Sequence, residues 1–279
     1  MKRITFSRLR VATAIMIATA ISISCEVSQD QEVSIGEQTA NEIQAQLPVV
    51  TDSYLDGYIN ELGDTIASRT TRSDLDWHFS IVNSHQVNAF ALPGGFIYVN
   101  RGLIESTRRV DELAGVLGHE IGHVIQRHSV EQMQSQQKVG LIATLACTLT
   151  DLCNSGLGQA AINIGGSALF AKHSRRDEFE ADSEAVENVL RVGIDPAGIP
   201  SLFEILMRQR QVEPTVVDVW FASHPLEESR IQNSRRLIES SGADRRGGLL
   251  QDLPSYADFK RRIEMLPEPP PPARSGPQR

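Results

Sequence analysis

Positive charge is scarce in this sequence: 27 lysines and arginines stand against 35 aspartates and glutamates, for a formal net charge of −8. Loss of Lys2, Arg3, Arg8 and Arg10 with an N-terminal leader would make the remainder more acidic still. No basic run or face is available to neutralise phosphates, so a nucleic-acid partner is not expected. Long apolar runs are missing as well. Val11 to Ile23, Val139 to Thr150 and Gly156 to Phe170 each fall short of the roughly 20 residues a membrane-spanning helix needs. No period of about 34 residues is present, so a tetratricopeptide repeat domain is not expected. What is there suits one folded domain: 41% hydrophobic and 22% charged residues in a chain of 279, enough to bury one sizeable core.

The most informative stretch is His119-Glu120-Ile121-Gly122-His123, set inside Val110 to His128. Val110, Leu113, Leu117, Ile121 and Val124 recur at helical spacing and form one apolar stripe. At about 100° per residue, His119, Glu120 and His123 fall on the opposite side. The two imidazoles then lie one turn apart on one face, where both reach a single metal, and Glu120 projects beside them as a general base for a zinc-activated water. The same count returns His128 to the apolar stripe, as a packing or helix-end residue.

A second helical segment, Arg175 to Val192, places Glu178, Asp182, Ala185 and Val189 on one face. Glu178 can complete a His2Glu metal site, and Asp182 can accept a hydrogen bond from a ligand imidazole and fix its tautomer. The alternative is a solvated acidic face made by Asp177, Glu178, Glu180 and Asp182.

HEIGH, then EFEAD, then Ser223-His224-Pro225 together resemble the HtpX-like and BepA-like zinc metallopeptidases, peptidase family M forty-eight, of the gluzincin group. The resemblance covers roughly Ile35 to Ile238. It implies one Zn2+ per chain held by His119, His123 and Glu178, with Glu120 as general base, Asp182 behind the ligands and His224 near the metal. Asn88 to Asn100 is similar to that family's active-site edge strand and hairpin. This makes Asn88 and Ala91 the candidate substrate contacts, with a turn-stabilising Asn88 as the alternative. Pro225 holds His224 in an extended conformation ahead of a helix. Two roles are open to it: occupying the fourth metal position and keeping the enzyme latent, or donating to an oxyanion, for which Arg230 is a weaker candidate.

At the N-terminus, basic residues precede a short apolar stretch, which suits a secretory signal over residues 1–24. Cys25 follows Ser22-Ile23-Ser24, a bacterial lipobox-like site for cleavage and lipidation, although Ser22 departs from the usual aliphatic residue. Ala18-Thr19-Ala20 offers ordinary signal cleavage instead. Glu26 is not the aspartate that favours inner-membrane retention, which tilts the expectation towards the outer membrane. With Cys25 lipidated, Cys147 and Cys153 remain as a pair that either closes a small loop or stays as two buried thiols.

Residues 25–33 read as a linker and 34–265 as the peptidase domain. Within it, Ser34 to Gln46, Ser53 to Ala67, Arg101 to Ser106, Pro196 to Gln211 and Leu226 to Ser240 read as helices, and Asp76 to Val82 and Gly95 to Val99 as strands. Val139 to Phe170 reads as an apolar helical hairpin, either core or lid. Residues 266–279, with Pro269 to Pro272, read as an extended tail.

The sequence thus predicts an α+β, mainly helical, zincin-like domain with a small antiparallel sheet beside the HExxH helix. Its expected activity is zinc-dependent endoproteolysis of unfolded or misassembled envelope proteins, on the periplasmic side of a bacterial membrane. A lipoprotein is expected, or else a soluble periplasmic enzyme. The rival readings are a non-catalytic assembly factor or chaperone with a structural or latent zinc site, and hydrolysis of a non-peptide substrate.

Overall fold

The computed structural model describes residues 26–135, 172–225 and 228–269. The leader, Cys25, the pair Cys147 and Cys153, the whole of the expected hairpin and the end of the tail lie outside the described residues. Helices α1 (Gln29–Gln46) and α2 (Ser53–Ala67) lead into strands β1 (His78–Val82), β2 (Ala89–Leu92) and β3 (Phe96–Asn100). They are followed by α3 (Arg101–Ser106), α4 (Val110–Ile125), α5 (Arg175–Arg191), α6 (Gly198–Val212), α7 (Pro214–Ser223), α8 (Glu228–Ser241) and α9 (Pro254–Glu264). Helix α1 starts before Ser34 because Ser28 and Gln31 form a reciprocal capping box there.

The sheet is small, as expected, but mixed rather than purely antiparallel. Its order is β1-β3-β2, with β1 parallel and β2 antiparallel to β3. The Pro93–Gly95 turn folds β3 back onto β2, and β3 then inserts between β2 and β1, so the first and last strands run the same way. Among the described residues β2 has a strand neighbour on one side only.

Helix α4 is the central element. Its apolar stripe, Val110, Leu113, Leu117 and Ile121, is fully buried with Val124 close behind. Glu112 fixes the helix start, its carboxylate accepting from the Arg108 and Arg109 amides at 2.6 and 3.4 Å. Helix α5 packs closely along the other side of α4, and glycines make that approach possible. A Cβ on Gly118 would stand 3.3 Å from the Ala185 Cα, and one on Gly122 would stand 3.0 Å from the Ala181 carbonyl oxygen. Side chains there would force the two backbones apart, and with them the functional groups each carries.

Candidate metal centre

His119 and His123 from α4, Glu178 from α5 and His224 at the end of α7 are all buried, and their ligand atoms lie within 4.8 Å of one another. The Nε2 atoms of His119 and His123 are 3.1 Å apart. Glu178 places Oε2 3.7 Å from His119 Nε2 and Oε1 3.5 Å from His123 Nε2, while His224 Nδ1 is 3.1 Å from the same Oε1. A tetrahedral zinc with bonds of about 2.0–2.1 Å needs ligand atoms about 3.3 Å apart, so two imidazoles, a carboxylate and a third imidazole at these separations fit that ion.

Glu120 is 1% exposed, and neither carboxylate oxygen has a hydrogen-bond partner among the described residues. His224 Nε2 lies 3.7 Å from Glu120 Oε1. Burial lifts the Glu120 pKa above the usual carboxylate range, against the pull of His224 and His119. A buried carboxylate that no group among the described residues satisfies, beside a cluster of nitrogen and oxygen ligand atoms, is positioned to hold a proton taken from water.

Around the cluster, charges are matched. Arg230 from α8 donates through Nε and Nη2 to both oxygens of Asp182, at 2.8 and 2.6 Å, and through Nη1 to Glu178 and the Pro225 carbonyl. Asp182 in turn stands 3.0 Å from His119 Nδ1. Burial works to raise the pKa of Glu178, but His224 and Arg230 hold it well below its ordinary value, and Arg230 likewise depresses Asp182. Burial works to lower His224, yet Glu178 and Glu120 leave it raised. Burial drives His123 well below its ordinary value. Arg230 is 2% exposed, and each of its three nitrogens donates to a carboxylate.

Several neighbours were not legible in the sequence. Trp220 stacks on His224 at 4.4 Å and 26°, and the Trp220 carbonyl accepts from the His224 amide at 2.7 Å, which together hold the imidazole in place. His173 stacks on His123 at 3.9 Å; burial, then the charge of His224, lower its pKa to about 3. His128 departs from its expected place in the apolar stripe. Helix α4 stops at Ile125 and Arg127 takes a left-handed φ of 57°, so the helical count no longer applies beyond that point. The turn brings His128 Nδ1 to 2.8 Å from His123 Nδ1.

Of the candidate substrate contacts, Ala91 lies on β2 opposite Ile97, and Asn88 immediately precedes that strand. The Asn88 carbonyl accepts from Asn100 at 2.9 Å, while its side-chain Oδ1 is buried without a partner among the described residues.

A HExxH helix crossed by a carboxylate-bearing helix, with a small sheet alongside, defines the zincin-like class of metallopeptidase folds. Residues 53–238 match the family described as Peptidase family M48, and the chain belongs to that family. It is 30% identical to the beta-barrel assembly-enhancing protease of Yersinia pestis over 208 residues, covering 72% of this chain and 43% of that protein. It is 28% identical to the metalloprotease LoiP of Escherichia coli (strain K12) over 184 residues, covering 66% of this chain and 69% of that one. The alignment thus spans less than half the length of the beta-barrel assembly-enhancing relatives. No helix among the described residues is long and apolar enough to cross a membrane.

Proposed function

We propose that this protein is a zinc metalloendopeptidase that hydrolyses peptide bonds of misfolded or misassembled envelope proteins. The observation that carries this reading is the buried Glu120 carboxylate, without a hydrogen-bond partner among the described residues, beside the donor cluster of His119, His123, Glu178 and His224. His119, His123 and Glu178 would hold one zinc, which supplies a Lewis acid for the scissile carbonyl and lowers the pKa of its water. Glu120 takes the proton from the attacking water and returns it to the leaving amine. Asp182, 3.0 Å from His119 Nδ1, would orient that ring, and Arg230 holds Asp182 and Glu178 against their burial.

The edge of β2 that has no strand neighbour among the described residues supports an extended substrate, since a peptide can add to such an edge as a further strand through main-chain hydrogen bonds. Ala91 and Asn88 then stand where side chains of the bound segment pass. That mode reads backbone rather than sequence, which suits unfolded polypeptides. The envelope setting follows from the names of the relatives and from the lipobox-like Cys25, which would anchor the enzyme on the periplasmic side of the membrane.

His224 deepens the reading. Its place in the donor cluster supports a role as a fourth ligand of the resting enzyme, one that would exclude the catalytic water and keep the protease latent. Release of the segment after α7 would free the position. His224→Ala should then raise proteolysis of an unfolded substrate; a fall would assign His224 to oxyanion stabilisation instead.

The deciding experiment for the reaction is Glu120→Gln in the purified protein. Loss of proteolysis by about 10²-fold or more, with zinc content and thermal unfolding retained, is the expected result. A variant that keeps full cellular activity would mark a non-catalytic assembly factor. Zinc-dependent turnover of small esters without cleavage of unfolded protein would mark a different hydrolase.

A further inference from the structure

His123 shows its two ring nitrogens to different surroundings. Nε2 faces the donor cluster, 3.1 Å from His119 Nε2 and 3.5 Å from Glu178 Oε1. Nδ1 faces away, 2.8 Å from His128 Nδ1. Beyond it, His128 Nε2 lies 3.2 Å from Glu180 Oε2, and the other Glu180 oxygen accepts from Arg176 Nε at 2.8 Å. His128 is 4% exposed, so its two ring nitrogens are committed to these partners inside the protein.

A hydrogen bond between two imidazole nitrogens carries one proton, and the metal decides where it sits. If His123 offers the Nε2 lone pair to a metal, its own proton must be on Nδ1, and that N–H donates to His128 Nδ1. His128 then carries its proton on Nε2, which donates to Glu180. The opposite arrangement would put a proton on His123 Nε2 and remove the ligand lone pair. One chain of hydrogen bonds, from His123 through His128 to the Glu180 carboxylate, therefore selects the tautomer that can bind.

We propose that His128 and Glu180 form a positioning relay that fixes the metal-binding tautomer and ring orientation of His123. This inference rests on the zinc reading given above. It assigns no catalytic role to either residue, because neither touches the reacting atoms. His128, Asp177 and Glu180 also gather their ligand atoms within 4.8 Å, as a second metal site would. Their commitments argue for support instead: Asp177 accepts from the Ser174 amide at 3.0 Å as part of the α5 cap, and Glu180 holds Arg176. The relay also gives a purpose to the left-handed Arg127. That conformation is costly for a residue with a side chain, and here it returns the chain so that His128 lies against α4.

The relay predicts a graded series in zinc affinity, measured on the full chain by competition with a chelator of known affinity. His128→Leu leaves the His123 Nδ1–H without an acceptor and should weaken zinc binding about 10–100-fold. His128→Asn can restore the acceptor, because its Oδ1 occupies nearly the same place as the imidazole Nδ1, and should recover most of the loss. Glu180→Gln still accepts from His128 through its amide oxygen and should lose less than His128→Leu. A role in packing alone predicts the reverse for the first pair, with leucine tolerated better than asparagine at a buried position.

Long-range proton–nitrogen NMR correlations of the zinc-loaded, unsubstituted chain supply a test that needs no variant to fold. The expected pattern is a protonated Nδ1 on His123 and a protonated Nε2 on His128. A bare Nδ1 on His123, or a proton on His128 Nδ1, would overturn the relay, as would unchanged zinc affinity in a folded His128→Leu. Failure of the unsubstituted chain to bind zinc would overturn the zinc reading itself, and is recognised before any variant is compared.

Discussion

His119 and His123 stand one turn apart on the same face of one helix, yet their outer nitrogens lead to opposite kinds of environment. From His119 the path runs to Asp182 and then to Arg230, all buried, with the guanidinium bound to both oxygens of the carboxylate. From His123 it runs through a second imidazole to Glu180, whose side chain is 35% exposed and shared with a surface arginine. One ligand is tied into the core and the other leads towards the surface. The first side should therefore govern whether the domain folds, and the second how well a folded domain holds its metal.

The sharpest way to break this comparison is to remove the buried cation. Arg230→Leu leaves the Asp182 and Glu178 carboxylates without their common partner, and uncompensated buried charge of this kind costs about 3–5 kcal/mol. Urea unfolding of the metal-free protein should show a loss in that range, whereas Glu180→Gln should cost under about 1 kcal/mol. Equal losses would mean that the two sides do not differ in the way the geometry implies.

The seam between α4 and α5 comes next. Gly122→Ala gains helix propensity of about 1 kcal/mol, but its Cβ would lie 2.9 Å from the Glu184 Cβ and 3.0 Å from the Ala181 carbonyl oxygen. Overpacking should win, with a net loss of about 1–3 kcal/mol and a weaker hold on zinc, because the shift separates His123 from Glu178. Thermal unfolding with and without metal measures both. A more stable variant with unchanged zinc affinity would show that the helices have slack.

How much of this arrangement can be read from the sequence depends on what each residue relies upon. His119, Glu120 and His123 are read from the HExxH spacing together with periodicity, because they share one regular helix whose apolar stripe declares its buried face. On α5 helical spacing puts Glu178 and Asp182 on one face, but it leaves a solvated acidic face open, and their roles beside a metal are what the family resemblance implies. The count of 100° per residue does not hold for His128, three residues past Ile125, because it crosses a turn that only the left-handed Arg127 reveals. Arg230 depends on how α8 lies across α5, which local pattern does not encode. Helix α7 was also missed: Thr215, Val216, Val217 and Val219 favour a strand locally, and packing of Val217, Trp220 and Phe221 into the core overrides that preference. Helix α9 was there to be found, since Tyr256, Phe259 and Ile263 recur on one face behind Pro254. The strand order β1-β3-β2 lies beyond local pattern, because pairing across a sheet is a tertiary choice.

Acid gives a third contrast. Burial works to raise the pKa of Asp182, but Arg230 leaves it below its ordinary value, so the folded state binds that proton less readily than the unfolded chain does. The stability it contributes is therefore present above the unfolded aspartate value of about 3.9 and is lost as pH falls through the folded value. Glu180 is also depressed, chiefly by its hydrogen bond to Arg176, but solvent screens it. Urea unfolding of the metal-free protein between about pH 6 and pH 3 should show a steep acid limb that flattens in Asp182→Asn and barely changes in Glu180→Gln. A limb that flattens equally in both would place the acid sensitivity elsewhere.

The smallest effect expected is that of salt, and it separates the two sides without touching a ligand. Surface ion pairs weaken as the screening length falls, while buried pairs are shielded from mobile ions by the protein around them. The Arg176 to Glu180 pair is open to solvent, with the arginine side chain 79% exposed, so its contribution should fade between low salt and about 0.5 M. Any destabilisation caused by Arg176→Ala should then vanish at high salt, whereas that caused by Arg230→Leu should persist. Zinc affinity should follow the same division. In the relay His128 accepts from His123 through a buried imidazole–imidazole contact, so the affinity lost in His128→Leu should be independent of salt even though the relay ends at a screened carboxylate. A salt-dependent loss in that variant would mean that the charge of Glu180, rather than the fixed tautomer of His123, carries the effect.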